Sequence, residues 1–95
     1  MPEMRFTVRW PDGSVDECYS PSTVIKDYLE VGGQYGVAEF VGRSRTALTT
    51  ASERVRAKYG FACSSAMDQL ARIESKAGGF SDETGGRVEI ESISI

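Results

Sequence analysis

The stretch MRFTVRWPDGSVDECYS, residues 4–20, constrains the fold more than any other part of the chain. Met4, Phe6, Val8 and Trp10 alternate with Arg5, Thr7 and Arg9. A period of two puts the apolar set on one face of a strand and the polar set on the other. Asp12-Gly13 follows at once, a strong hairpin signal, so VDECYS is expected to return as a second strand. A two-residue turn at Asp12-Gly13 would oppose Trp10 to Val15, Arg9 to Asp16 and Phe6 to Tyr19. That register gives an apolar face and one opposite-charge pair, although Pro11 then forfeits a ladder hydrogen bond. A lone two-stranded ribbon is only marginally stable. The rest of the chain must therefore cover its apolar face and extend it.

The helical segments are legible by period. SPSTVIKDYLE offers Ser and Thr caps before Val24, Ile25, Tyr28 and Leu29, which predicts a short helix ended near VGGQYG. Residues 37–59 form the longest predicted helix. At ~100° per residue, Val37, Phe40, Val41, Ser44, Leu48, Ala51, Val55 and Tyr59 fall in one stripe, so Val55 and Tyr59 are expected to be buried. Gly60 follows at the position where a left-handed backbone closes helices. Ser64 or Ser65 is then expected to cap a third helix, with Asp68 completing a capping-box-like arrangement and Met67, Leu70, Ala71 and Ile73 facing inward. It stops at AGG. Residues 78–86, GGFSDETGG, read as a flexible loop. RVEIESISI alternates as a strand, but its apolar phase slips between Ile90 and Ile93, which implies a bulge or burial of both faces. The expected fold is α+β over a single domain, residues 1–95: an antiparallel hairpin plus a C-terminal strand packed against three helices, in the order ββαααβ.

The size and charge of the chain narrow its class. Ninety-five residues make one domain with a modest core. No apolar run approaches the ~18 residues of a spanning helix, and MPEMRFTVRW has neither the basic start nor the apolar centre of a signal peptide. A cytoplasmic setting is therefore expected, with Cys18 and Cys63 as reduced thiols. Two cysteines and no histidine are too few for a zinc site, and no cofactor fingerprint is present, since VGGQYGVAEF lacks the spacing of a phosphate-binding loop. A net charge of −3 disfavours anionic membranes and nucleic acid as partners. That charge is uneven, because Arg43, Arg45, Arg54, Arg56 and Lys58 stand against Glu53 alone in a basic central segment between acidic ends.

Two places invite a chemical reading. In YGFACSSAMDQ, Cys63 precedes a helix start, where backbone N–H groups favour a thiolate, and Ser64 and Ser65 would offer hydroxyls to an anion. Nucleophilic catalysis normally uses a base, most often histidine, and cysteine and serine here are explained by burial and capping. Punctuation between two helices is the preferred reading. The close carboxylate pairs, Asp16-Glu17, Asp82-Glu83 and Glu89/Glu91, read as solvated faces. In the long helix, Arg43, Arg54 and Lys58 flank one side of the apolar stripe and Arg45 and Arg56 the other, as charges bordering a helix–helix seam do. The plainer reading has these side chains lying over the domain's own core.

MRFTVRWPDGSVDECYSPSTVIKDYLE and SRTALTTASERVRAKYGFACSSAMDQLARIE resemble the small nitrogen-starvation-response proteins of mycobacteria, other actinobacteria, proteobacteria and cyanobacteria. The resemblance covers roughly residues 1–75. Such proteins are encoded beside a nitrilase, a radical-SAM protein, an acetyltransferase, a synthase-like protein related to purine biosynthesis and a flavin-dependent oxidoreductase. It therefore implies a role in nitrogen scavenging from nitriles or cyanide, and it supplies no catalytic residues. The favoured expectation is a non-enzymatic accessory or interaction protein of that gene cluster. The alternative is a small-molecule or anion-binding enzyme component using Cys63 and the nearby arginines. A DNA-binding regulator fits less well, because the chain is acidic and shows no helix-turn-helix pattern. A homodimer or small homo-oligomer is also expected, joined through the long helix or through VEIESISI acting as an unpaired edge.

Overall fold

The computed structural model describes residues 3–61, 63–80 and 86–94. Its elements are β1 (Met4–Arg9), β2 (Val15–Ser20), α1 (Ile25–Tyr28), β3 (Gln34–Gly36), α2 (Val37–Tyr59), α3 (Ser64–Ala77) and β4 (Arg87–Ser94). This is the α+β fold expected, a hairpin and a C-terminal strand with three helices, and β3 is added to the ββαααβ order. The strands form one antiparallel sheet in the order β2-β1-β4-β3.

The hairpin register differs from expectation by one residue: Arg9 pairs with Val15, Val8 with Asp16 and Phe6 with Cys18. The turn is the cause. Trp10 N–H donates to the Ser14 carbonyl (2.8 Å) and Gly13 N–H to the Trp10 carbonyl (2.9 Å), so the loop is Pro11-Asp12-Gly13. Gly13, at φ 88°, supplies the left-handed step on which three-residue hairpin loops end. Pro11 sits in the turn, where its missing N–H costs no ladder bond. The hydroxyl and amide of Ser14 both donate to Asp12 Oδ1, at 2.6 and 2.9 Å, and hold that carboxyl below its ordinary 3.8. A one-residue slip turns every side chain of β2 to the other face. Cys18 and Ser20 are buried, while Tyr19 stands opposite Arg5 and Glu17 opposite Thr7. The expected Arg9–Asp16 pair is replaced by Arg9–Glu91 (2.8 Å) and Arg5–Glu17 (3.6 Å). Asp16 instead accepts from Trp10 Nε1 at 2.9 Å.

The phase slip in the last strand is a bulge. Thr7 pairs with Ser92 and Val8 with Ile90, leaving Glu91 as the extra residue. β4 is not the edge it was expected to be, because β3 flanks it over Arg87–Glu89. Gly32 N–H donates to the Ile90 carbonyl (2.7 Å) and Ile90 N–H to the Gly33 carbonyl (3.0 Å), extending that contact by one turn. Both glycines are needed: Gly32 adopts φ 81°, and a Cβ on Gly33 would lie 2.8 Å from the Tyr35 hydroxyl.

The core gathers Met4, Phe6, Val8 and Trp10 with Phe40, Leu48, Ile73, Val88 and Ile90. Trp10 meets the Phe40 ring edge-on at 5.5 Å and stacks on Phe80 at 5.6 Å. Phe80 is held there because the N–H groups of Gly78, Gly79 and Phe80 continue the turns of α3. Residues 81–85 of the expected loop lie outside the described residues. The buried face of α3 is Ala66, Leu70, Ile73 and Ala77, whereas Met67 and Ala71, expected inside, are exposed. Ala66, Leu70, Ile73 and Ala77 recur at helical spacing, so burying that face turns Met67 and Ala71 outward. Cys18 is 2 % exposed; burial, with the charges of Asp16 and Glu17 adding to it, pushes its thiol up to about 12. Both cysteines are free. Among the described residues, no helix is long and apolar enough to cross a membrane.

α2 outruns the sheet. Its 23 residues span ~34 Å at ~1.5 Å per residue. The longest strand, β4 with eight residues, spans ~26 Å, and four strands side by side ~14 Å. Laid along the strands, the helix overruns the longest of them by more than one turn, and laid across them by more than three. The molecule is accordingly elongated, 42 × 22 × 18 Å.

Candidate functional site

The overhanging end of α2 is where the chain exposes chemistry. Buried positions on this helix stop at Ser52. Beyond it Val55 is only half-buried, and Tyr59, expected on the inner stripe, is 54 % exposed. The expectation that both would be buried is corrected: the stripe continues after the surface that covers it has ended. Gly60 closes the helix at φ 86°, its N–H donating to the Arg56 carbonyl at 2.8 Å, and Phe61 follows 68 % exposed.

The five cations of the central segment divide into two groups. Arg43 donates to Glu39 Oε2 (2.9 Å) and to the Tyr28 carbonyl (3.0 Å), and its guanidinium lies 4.9 Å from the Tyr35 ring centroid. It ties α1 and β3 to α2. Arg45 reaches Glu74 Oε2 at 2.6 Å and links α2 to α3. These two are occupied within the domain. Arg54 and Arg56 make no ion pair or side-chain hydrogen bond among the described residues, and Lys58 lies 5.5 Å from the centroid of its neighbour Tyr59. At ~100° per residue, Arg54 and Lys58 border one side of the Val55–Tyr59 line and Arg56 the other.

Val55 and Tyr59 line a groove of about 210 Å³ together with Glu3, Tyr19, Pro21 and Cys63. Cys63 is half-buried, and its N–H donates to Ser52 Oγ at 3.2 Å, tying the interhelical turn back to α2. Tyr19 lies beside it. Burial first, then the neighbouring Cys63 and Glu3, push the Tyr19 hydroxyl up from its ordinary value. None of the five cations lines this groove, so the fold does not bring Cys63 and the arginines into one pocket. Ser64 and Ser65, expected as caps, are exposed in the first turn of α3, where Cys63 is the N-cap residue and makes no side-chain cap bond. Here Cys63 is a joint between two helices.

A second cleft, about 360 Å³, lies between α3 and the outer edge of β2. Arg5, Tyr19, Ser65, Asp68, Gln69 and Arg72 line it. Gln69 Oε1 accepts the Tyr19 N–H at 3.1 Å, so a side chain of α3 covers part of a strand edge that would otherwise invite pairing. The two hollows share Glu3 and Tyr19, and the expected register placed Tyr19 on the core face. Sequence reasoning missed its role for that reason. The signal was the three-residue reading of Pro11-Asp12-Gly13, which moves Tyr19 outward. No group of acidic, cysteine or histidine side chains among the described residues is arranged to hold a metal ion.

A family model described as nitrogen starvation-induced protein NitG matches residues 5–93. No curated protein and no solved structure matches the chain.

Proposed function

The chain belongs to the family of nitrogen starvation-induced protein NitG, and from that premise we propose that it is a non-enzymatic accessory protein, docking onto an enzyme of a nitrile-utilisation gene cluster in the cytoplasm. The observation that carries this reading is the free end of α2. Arg54, Arg56 and Lys58 surround an apolar line that ends in the exposed rings of Tyr59 and Phe61. Aromatic and arginine side chains of this kind anchor protein interfaces. The domain's own core does not use them. The alternative, an anion-binding enzyme component built on Cys63, has less support, because the cations lie outside the Cys63 groove and the chain has no histidine to activate the thiol.

The test is affinity purification of the tagged chain from nitrogen-starved cells, beside a variant carrying Arg54→Glu, Arg56→Glu and Lys58→Glu. A cluster enzyme in stoichiometric yield with the parent, and absent with the variant, is the expected result. Turnover of a nitrile or its hydrolysis product by the purified chain itself would overturn the accessory role.

One observation also favours self-association. β3 pairs with β4 over Arg87–Glu89 and Gly32 and Gly33 bond Ile90, so residues 91–94 have no strand on that side among the described residues. We propose that a second copy pairs there. The strand is interior to the sheet, so deleting it would unfold the domain. Light scattering of the intact chain is the clean measurement, and a monomer throughout the micromolar range removes the proposal.

A further inference from the structure

We propose that the groove at the free end of α2 takes a short acidic segment of a partner protein, with one large apolar side chain of that segment seated between Val55, Tyr59 and Tyr19. This rests on the interaction reading above and gives the partner its chemistry. A groove of about 210 Å³ is the size of one large side chain. Its walls offer two tyrosine rings, a valine and Pro21, which favour an aliphatic or aromatic occupant. The helix beside the groove decides the rest. Arg54 and Lys58 lie to one side of the Val55–Tyr59 line on α2 and Arg56 to the other, outside the groove itself. None has a carboxylate partner among the described residues, so an incoming acid breaks no existing ion pair. Long basic side chains beside an apolar seam set partner choice by charge. Among the described residues, Glu3 is the single acidic one lining the groove; it directly precedes β1 and directs the partner's acids toward α2.

The rest of the molecule selects for a short segment. The whole chain carries −3, although this end of α2 is cationic. A long polyanion such as duplex DNA, or an anionic vesicle, would extend past the cationic end and meet that acidic body. A brief acidic run gains the local attraction without that repulsion.

The experiment is selection of random dodecamer peptides from a display library on the intact chain, with peptide affinities then read by fluorescence anisotropy. Enriched peptides are expected to share several acids and one large apolar residue. Replacing that residue with Ser, or introducing Tyr59→Ser or Arg54→Glu/Lys58→Glu into the chain, should each weaken binding by about tenfold or more, and added salt should weaken it further. Enrichment of basic or uncharged peptides overturns the proposal. So does no enrichment, equal binding by the charge-reversed chain, or binding of duplex DNA or phosphatidylserine vesicles in place of peptides. If a cluster enzyme still co-purifies after such a failure, the accessory reading stands and only this groove assignment is lost. If acidic peptides bind and no enzyme co-purifies, the groove stands and the accessory reading falls.

Discussion

The two ends of α2 carry the same apolar stripe and meet different fates. From Val37 to Ser52 the stripe is buried against sheet and neighbouring helices; from Glu53 to Tyr59 it is largely in water. The residues do not explain the change, since Val55 and Tyr59 are as apolar as the buried half requires. Length explains it. A ~34 Å helix is longer than the sheet in either direction, which measures ~26 Å along its eight-residue strand β4 and ~14 Å across. An amphipathic stripe therefore reports where a helix can be covered, and the extent of the covering surface decides where it is. The uncovered remainder is available for a partner.

The comparison is broken most severely at Phe40, fully buried and in edge contact with Trp10. Phe40→Ala is expected to cost about 3–5 kcal/mol, read as a fall in the urea midpoint. A loss below about 1 kcal/mol would deny that the first half of α2 is the core half.

A few kcal/mol is the next order of effect, and it comes through pH. The Cys18 thiol is raised from 9.0 to about 12 in the folded chain, so the folded state holds its proton where the unfolded state releases it. The stability it contributes is fully present below pH 9.0 and is lost as pH rises toward 12. Denaturation midpoints measured across that range should fall, and the Cys18→Ala variant should fall less steeply. Parallel slopes for the two chains would refute the assignment.

Ser44 sharpens the comparison in the opposite direction. Its hydroxyl is buried in the covered half of the stripe without a hydrogen-bond partner among the described residues. Ser44→Ala removes an unsatisfied group and adds helix propensity, so a gain of about 1 kcal/mol is expected. Thermal unfolding of the two chains measures it, and destabilisation would show that the hydroxyl does have a partner.

The smallest effect belongs to the free end. Tyr59→Ser should change stability by no more than about 0.5 kcal/mol, because an exposed ring contributes little to folding. Matched urea curves check this. A loss comparable to that of Phe40→Ala would mean that the end of α2 is covered after all.

Much of this was legible from residues alone. The alternation of Met4 to Trp10 identified β1 and its buried face, and the long helix runs over the residues its period predicts. The slip between Ile90 and Ile93 announced the bulge at Glu91. The candidate site was half legible. The cations bordering the stripe were visible, but Arg43 and Arg45 prove to be occupied by Glu39, Tyr28, Tyr35 and Glu74. Glu39 stands four residues from Arg43, a spacing visible in the sequence, but Tyr28, Tyr35 and Glu74 are too far along the chain to leave a local pattern. β3 was invisible for a related reason: three residues, Gln34–Gly36, have no period of their own, and they become a strand because β4 offers them hydrogen bonds.

By itself, the sequence determined the elements that repeat often enough to show a period, the charge layout and the family. Tertiary structure alone decided the hairpin register, since Pro11-Asp12-Gly13 allows loops of different length and the choice turns Cys18 inward and Tyr19 outward. It decided the buried face of α3, which runs through Ala66, Leu70, Ile73 and Ala77 and leaves Met67 outside. It also decided where the stripe of α2 stops being core. Periodicity records which side of an element is apolar, whereas burial depends on whether another surface reaches that far, and that is a property of the assembled sheet.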